Sequence, residues 1–105
     1  MTQRKVSAMR MLLKASFDTE KGNEAIRNGT LGKLIQEAVE QMKPEATYFC
    51  AEDGRRTAFI YFDMKDSSEI PVYAEHFFLN LDAKISYQPV MNLEDVEKGL
   101  SQFGR

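Results

Sequence analysis

The chain predicts an α+β domain, and three features of its 105 residues carry that prediction. Asp53-Gly54 sits between two alternating runs and has the composition of a two-residue hairpin turn. Residues 9–17 alternate between apolar and mostly polar side chains, the period of a strand. Residues 31–42 and 70–81 gather their apolar side chains on one side at about 100° per residue, the period of a helix.

In chain order, residues 1–8 carry Arg4 and Lys5 with little apolar content. They read as a flexible arm ahead of one domain, 9–105. In the first strand Met9, Met11, Leu13, Ala15 and Phe17 face one way, and Arg10, Leu12, Lys14 and Ser16 the other. Thr19 is placed to cap a short helix over 20–28, with Glu20 near the positive end of its dipole. Asn28-Gly29 interrupts that helix. Thr30 then caps a second one, whose stripe is Leu31, Ile35, Ala38, Val39 and Met42 and which Lys43-Pro44 ends.

A type I′ turn requires positive φ at both Asp53 and Gly54, which pairs Glu52 with Arg55 across the hairpin. The pleat then sets Cys50 opposite Thr57, Tyr48 opposite Phe59 and Ala46 opposite Tyr61 on one face. Phe49, Ala51, Ala58, Ile60, Phe62 and Met64 share the other. Both faces are apolar or aromatic, whereas a sheet with one wet face alternates cleanly, so the second face is expected to meet a ligand, a partner chain or both.

Ser68 is placed to cap a third helix with Pro71 in its first turn and a core stripe of Ile70, Ala74, Phe77, Phe78 and Leu81. Residues 82–91 return to alternation, with Ala83, Ile85, Tyr87 and Pro89 set against Lys84, Ser86, Gln88 and Val90. Pro89 cannot donate to a ladder, so this strand belongs at a sheet edge. Residues 93–103 are amphipathic through Val96, Leu100 and Phe103, carry Glu94, Asp95 and Glu97 early, and stop at Gly104.

Strand, helix, hairpin, helix, strand and a further helix make the split βαβ order of ferredoxin-like domains. Right-handed crossovers place the long helices on one face of the sheet. The other face is left to Leu12, Lys14 and Ser16, to Tyr48, Cys50, Thr57, Phe59 and Tyr61, and to Lys84, Ser86, Gln88 and Val90. Each buried aromatic removes on the order of 150 to 250 Å² from water, so leaving Tyr48, Phe59 and Tyr61 bare forfeits several kcal/mol. A second copy of the chain is the expected cover.

In topology and pattern, residues 9–91 resemble the dimeric α/β-barrel group, in which two ferredoxin-like sheets close face to face around a cavity. The resemblance rests on the opening strand Met9-Arg10-Met11-Leu12-Leu13-Lys14, the hairpin Glu52-Asp53-Gly54-Arg55 and the closing strand Ser86-Tyr87-Gln88-Pro89-Val90-Met91. The group includes muconolactone isomerases, antibiotic-biosynthesis monooxygenases and small uncharacterised proteins. No catalytic motif of the group maps onto this chain. The resemblance implies a homodimer with a cavity, and fold alone does not set a chemistry.

The one cysteine and one histidine exclude an intrachain disulfide framework and leave a zinc site short of ligands. No metal or cofactor is expected, and a reducing cytoplasm fits best. No apolar run reaches the roughly 18 residues of a membrane helix. A net charge of −2 gives no general attraction for nucleic acid. Residues 55–62 do resemble the central motif of RNA-recognition domains. Arg56 and Thr57 stand where that motif needs a glycine and a stacking aromatic, so RNA binding is the weaker alternative.

His76 is the only side chain whose ordinary titration lies near neutrality, yet it falls roughly 140° from its helix's apolar stripe. A solvated or interface role is favoured over a catalytic one, for which Glu75 or Glu69 would have to orient it. Cys50 reads better as a buried apolar filler than as a nucleophile, because no nearby base lowers its thiol pKa. Lys14, Tyr48, Thr57, Tyr61, Ser86 and Gln88, with Leu12, Cys50 and Phe59 as walls, have the make-up of a small-molecule pocket and equally of a dimer interface. If the pocket is catalytic, Lys14, Tyr61 and His76 would move protons in cofactor-independent oxygenation or isomerisation of an organic metabolite. The rival is a dimer that binds or merely assembles.

Overall fold

The structure, a computed structural model, describes residues 8–104, so nearly all of the expected arm lies outside the described residues. Its elements are β1 (Met9–Ser16), α1 (Thr19–Arg27), α2 (Leu31–Glu40), β2 (Ala46–Glu52), β3 (Arg55–Met64), α3 (Glu69–Leu81), β4 (Lys84–Pro89) and α4 (Leu93–Phe103). The four strands form one antiparallel sheet in the order β2-β3-β1-β4. This α+β arrangement is compatible with a ferredoxin-like one.

The hairpin has the expected register, Glu52 opposite Arg55 and Tyr48 opposite Phe59. Asp53 and Gly54 take φ of 54° and 75°, as a type I′ turn requires. Because side chains alternate along each strand, that register fixes two faces. Met11, Leu13, Ala15, Ala58, Ile60 and Phe62 are buried in one cluster with Ala25 of α1, Ala38 of α2 and Phe77 and Leu81 of α3. Phe17 extends it, its ring 6.0 Å from that of Phe77. These three helices therefore cover one face.

Three expectations need correcting. The cap of α1 is Asp18, whose carboxylate accepts from Lys21 N at 3.1 Å, and Thr19 is the first helical residue. Two adjacent residues could cap, and the one with extended dihedrals does. Thr30 and Ser68 do hold the N-cap positions of α2 and α3 but make no side-chain capping bond; Asp66 instead accepts from Ser68 N at 3.1 Å. On α3 the core takes Tyr73 beside Ala74, Phe77 and Leu81, while Ile70 and Phe78 are exposed. The stripe has the expected period and is turned by a fraction of a helical turn. Tyr73 and Tyr87 then close over Phe62 edge-on, with centroids at 5.5 and 6.4 Å.

β4 pairs only with β1, and Pro89 is its last residue, so the proline sits at an edge. α4 begins with a capping box in which Asn92 Oδ1 accepts from Asp95 N at 2.8 Å and Asp95 Oδ2 from Asn92 N at 3.0 Å. Asp95 also lies 3.7 Å from the Arg10 guanidinium. α4 buries none of its residues, and Leu100 and Phe103 are exposed. Among the described residues no helix is long and apolar enough to cross a membrane.

Candidate functional site

The face of the sheet away from α1, α2 and α3 is organised as three rows. Strand pairing aligns Cys50, Thr57, Ser16 and Lys84 in the first, and Tyr48, Phe59, Lys14 and Ser86 in the second. Ala46, Tyr61, Leu12 and Gln88 make the third. Nine of the ten residues singled out from sequence thus share one face. His76 does not. It lies on α3, across the sheet, where its Nε2 is 2.9 Å from the Gln41 side-chain amide. Among the described residues neither Glu69 nor Glu75 hydrogen-bonds it, so the orienting carboxylate that a catalytic histidine needs is not supplied.

The centre of the face is aromatic. Tyr48 and Tyr61 meet edge-on at 6.5 Å, and Tyr48 remains 64% exposed. Lys14 Nζ stands 5.6 Å from the centroid of the Phe59 ring, a cation–π contact. Glu52, at the end of β2, reaches over the sheet to form a close charged hydrogen bond with Lys14. That bond raises the lysine pKa above its ordinary value, against a smaller opposing effect of desolvation, and the Glu52 and Asp53 charges add to it. Lys14 is therefore an ammonium group, suited to holding a negative oxygen and unsuited to removing a proton.

Cys50 differs from expectation. It is exposed, because β2 is an edge strand and no described residue forms a lid over this face. Thr57 is the opposite case, only 2% exposed, with its hydroxyl donating to Arg55 O at 3.0 Å. It forms a floor and contributes no free donor.

At the hairpin end the face dips into a cleft of about 350 Å³ lined by Lys14, Glu52, Asp53, Arg55, Lys84 and Ser86 among others. Glu52 is taken by Lys14. Among the described residues Arg55, Lys84 and Asp53 all lack an ion-pair partner, so the rim carries two free cations and one free carboxylate. The sequence places Lys84 on this face without giving it a site role, and Arg55 is missed although parity puts it here too, two residues before Thr57. Among the described residues no three of His, Cys, Asp and Glu gather closely enough to hold a metal ion.

The chain matches no protein-family model, no curated protein and no solved structure. The fold and its open face therefore carry the functional reading.

Proposed function

We propose that the chain works as a homodimer of ferredoxin-like subunits, whose open sheet faces meet as a dimeric α/β barrel and enclose a small aromatic metabolite. One observation supports this above the others: Tyr48, Phe59, Tyr61 and Leu12 form a contiguous apolar surface that no described element of the chain covers. Such surfaces mark interaction sites. A planar ring would lie between facing aromatics, while Lys14 and the hydroxyl of Tyr61 hold an oxygen on which negative charge develops. Proton movement on a bound phenol or quinone is the step shared by cofactor-independent oxygenation and isomerisation.

The Lys14–Glu52 pair favours a second reading, a binding dimer without turnover, because it keeps the lysine protonated. Sedimentation equilibrium combined with titration of phenols and quinones against tyrosine fluorescence tests both readings. The expected result is a two-subunit particle and saturable quenching that is weakened in Lys14→Ala and Tyr61→Phe. Product formation would establish turnover, and quenching without product the binding dimer. A stable single-subunit particle indifferent to the whole panel would overturn the proposal.

A further inference from the structure

Arg56 occupies a helix-facing position of β3, opposite Ala51 of β2, on the side where Ala58 and Ile60 are fully buried. A cation placed there calls for compensation. What it receives is neutral: its Nη2 donates to Asn23 Oδ1 of α1 at 3.0 Å. Among the described residues no carboxylate lies within ion-pair distance of it. Nη1 comes so close to α1 that a Cβ added at Gly22 would sit 2.6 Å from it. Glycine within a helix costs roughly 1 kcal/mol relative to alanine, so Gly22, itself buried, marks space reserved for the guanidinium.

Beside Arg56, α2 and the edge strand β2 leave a second cleft of about 350 Å³, walled by Phe17, Leu31, Ile35, Phe49 and Ala51. Phe49 points to the helix side and is still half exposed over this cleft. Apolar walls with one oriented, unneutralised guanidinium are complementary to an amphiphilic anion. A planar carboxylate matches the guanidinium fork, and a hydrocarbon body matches the walls.

We propose that the cleft between α2 and β2 binds a small organic carboxylate with an apolar body, clamped by Arg56, with Asn23 and Gly22 as positioning residues. Its walls and Arg56 lie on the helix side of the sheet, and Cys50 and Thr57 of the edge hairpin complete its lining. It stands whether or not the open face closes on a second copy.

Octanoate and 3-phenylpropionate titrated into nitrogen-15-labelled protein test this, with octanamide as the neutral control. Expected are saturable amide shifts confined to residues 17, 31–35, 49–51 and 56, and none with octanamide. Gly22→Ala, which displaces only the end of a flexible side chain, should weaken octanoate binding about tenfold or more, the loss of one charge-assisted contact. Arg56→Lys keeps the charge, loses the fork and should fall between; it is the deciding variant if Gly22→Ala fails to fold. Absence of any octanoate shift, equal binding of octanamide, unchanged affinity in Arg56→Lys, or shifts centred on residues 14 and 84–86 would each overturn the proposal.

Discussion

The two faces of the sheet are built from the same four strands and both carry large apolar side chains, but Lys14, Ser16, Lys84, Ser86 and Gln88 make the open one more polar, and their environments are opposite. On the helix side Leu13, Ala58 and Ile60 have no exposure, whereas one residue away Leu12, Phe59 and Tyr61 are partly exposed and Tyr48 is mostly so. Alternation decides which residues share a face. It does not decide how wet that face is, because burial comes from whatever lies on top. The helix side is finished by its own chain, and among the described residues nothing lies over the other.

The largest expected effect breaks the finished face. Phe62 is 1% exposed and packs against Tyr73 and Tyr87, so Phe62→Ala should cost about 3 to 5 kcal/mol. That approaches the total stability of a small domain, and urea denaturation should show a collapsed midpoint. The counterpart on the open face is Tyr48→Asp. It should leave the single-subunit fold within about 0.5 kcal/mol of wild type while converting the sedimenting particle from two subunits to one. A dimer that survives Tyr48→Asp would mean that the faces do not differ in the way described.

A smaller effect sharpens the contrast at the ends of the covering helices. Asp18→Ala removes a capping bond and should cost about 1 kcal/mol, whereas Thr30→Ala, which loses no capping bond and only a long hydroxyl contact of 3.4 Å to Ala25 O, should cost only a few tenths of a kcal/mol. The smallest concerns Tyr87, which sits on the helix side of β4 and donates its hydroxyl to Ile70 O at 2.8 Å. Burial, reinforced by Tyr73 and Glu69, pushes its pKa up to about 12. The unfolded chain ionises this tyrosine near pH 10, so the stabilisation is intact below about pH 10 and is lost as pH rises toward about 12. Tyr73 is also raised by burial, so absorbance titration should show Tyr87 as the last tyrosine to ionise, a final step that is gone in Tyr87→Phe, together with a shallower alkaline loss of stability.

Much of the open face was legible because the Asp53-Gly54 turn fixes parity, and parity propagates across β3 to β1 and β4. Helix periods were legible too, but period sets the width of a stripe and leaves its rotation to packing, which is why Tyr73 replaces Phe78 and Ile70 in the core. The state of Cys50 depended on the absence of a lid, which no local pattern records. The Arg56 cleft depended on residues 22 and 56 meeting across 34 positions of chain. Its one trace in the sequence is a glycine inside a helical run, where a close neighbour is the usual reason.

α4 is capped by its own first turn, has no fully buried residue and meets the sheet through the exposed Asp95–Arg10 pair, so its folding equilibrium is only weakly coupled to that of the sheet. Its amide protons should exchange with solvent deuterium at a pace set by local fraying, while those of β1 and β3 wait for the whole molecule to open. Truncation before Leu93 should accordingly leave the slow-exchanging amides untouched, making the carboxyl-terminal helix a removable appendage in energetic terms and a convenient point for attaching a reporter.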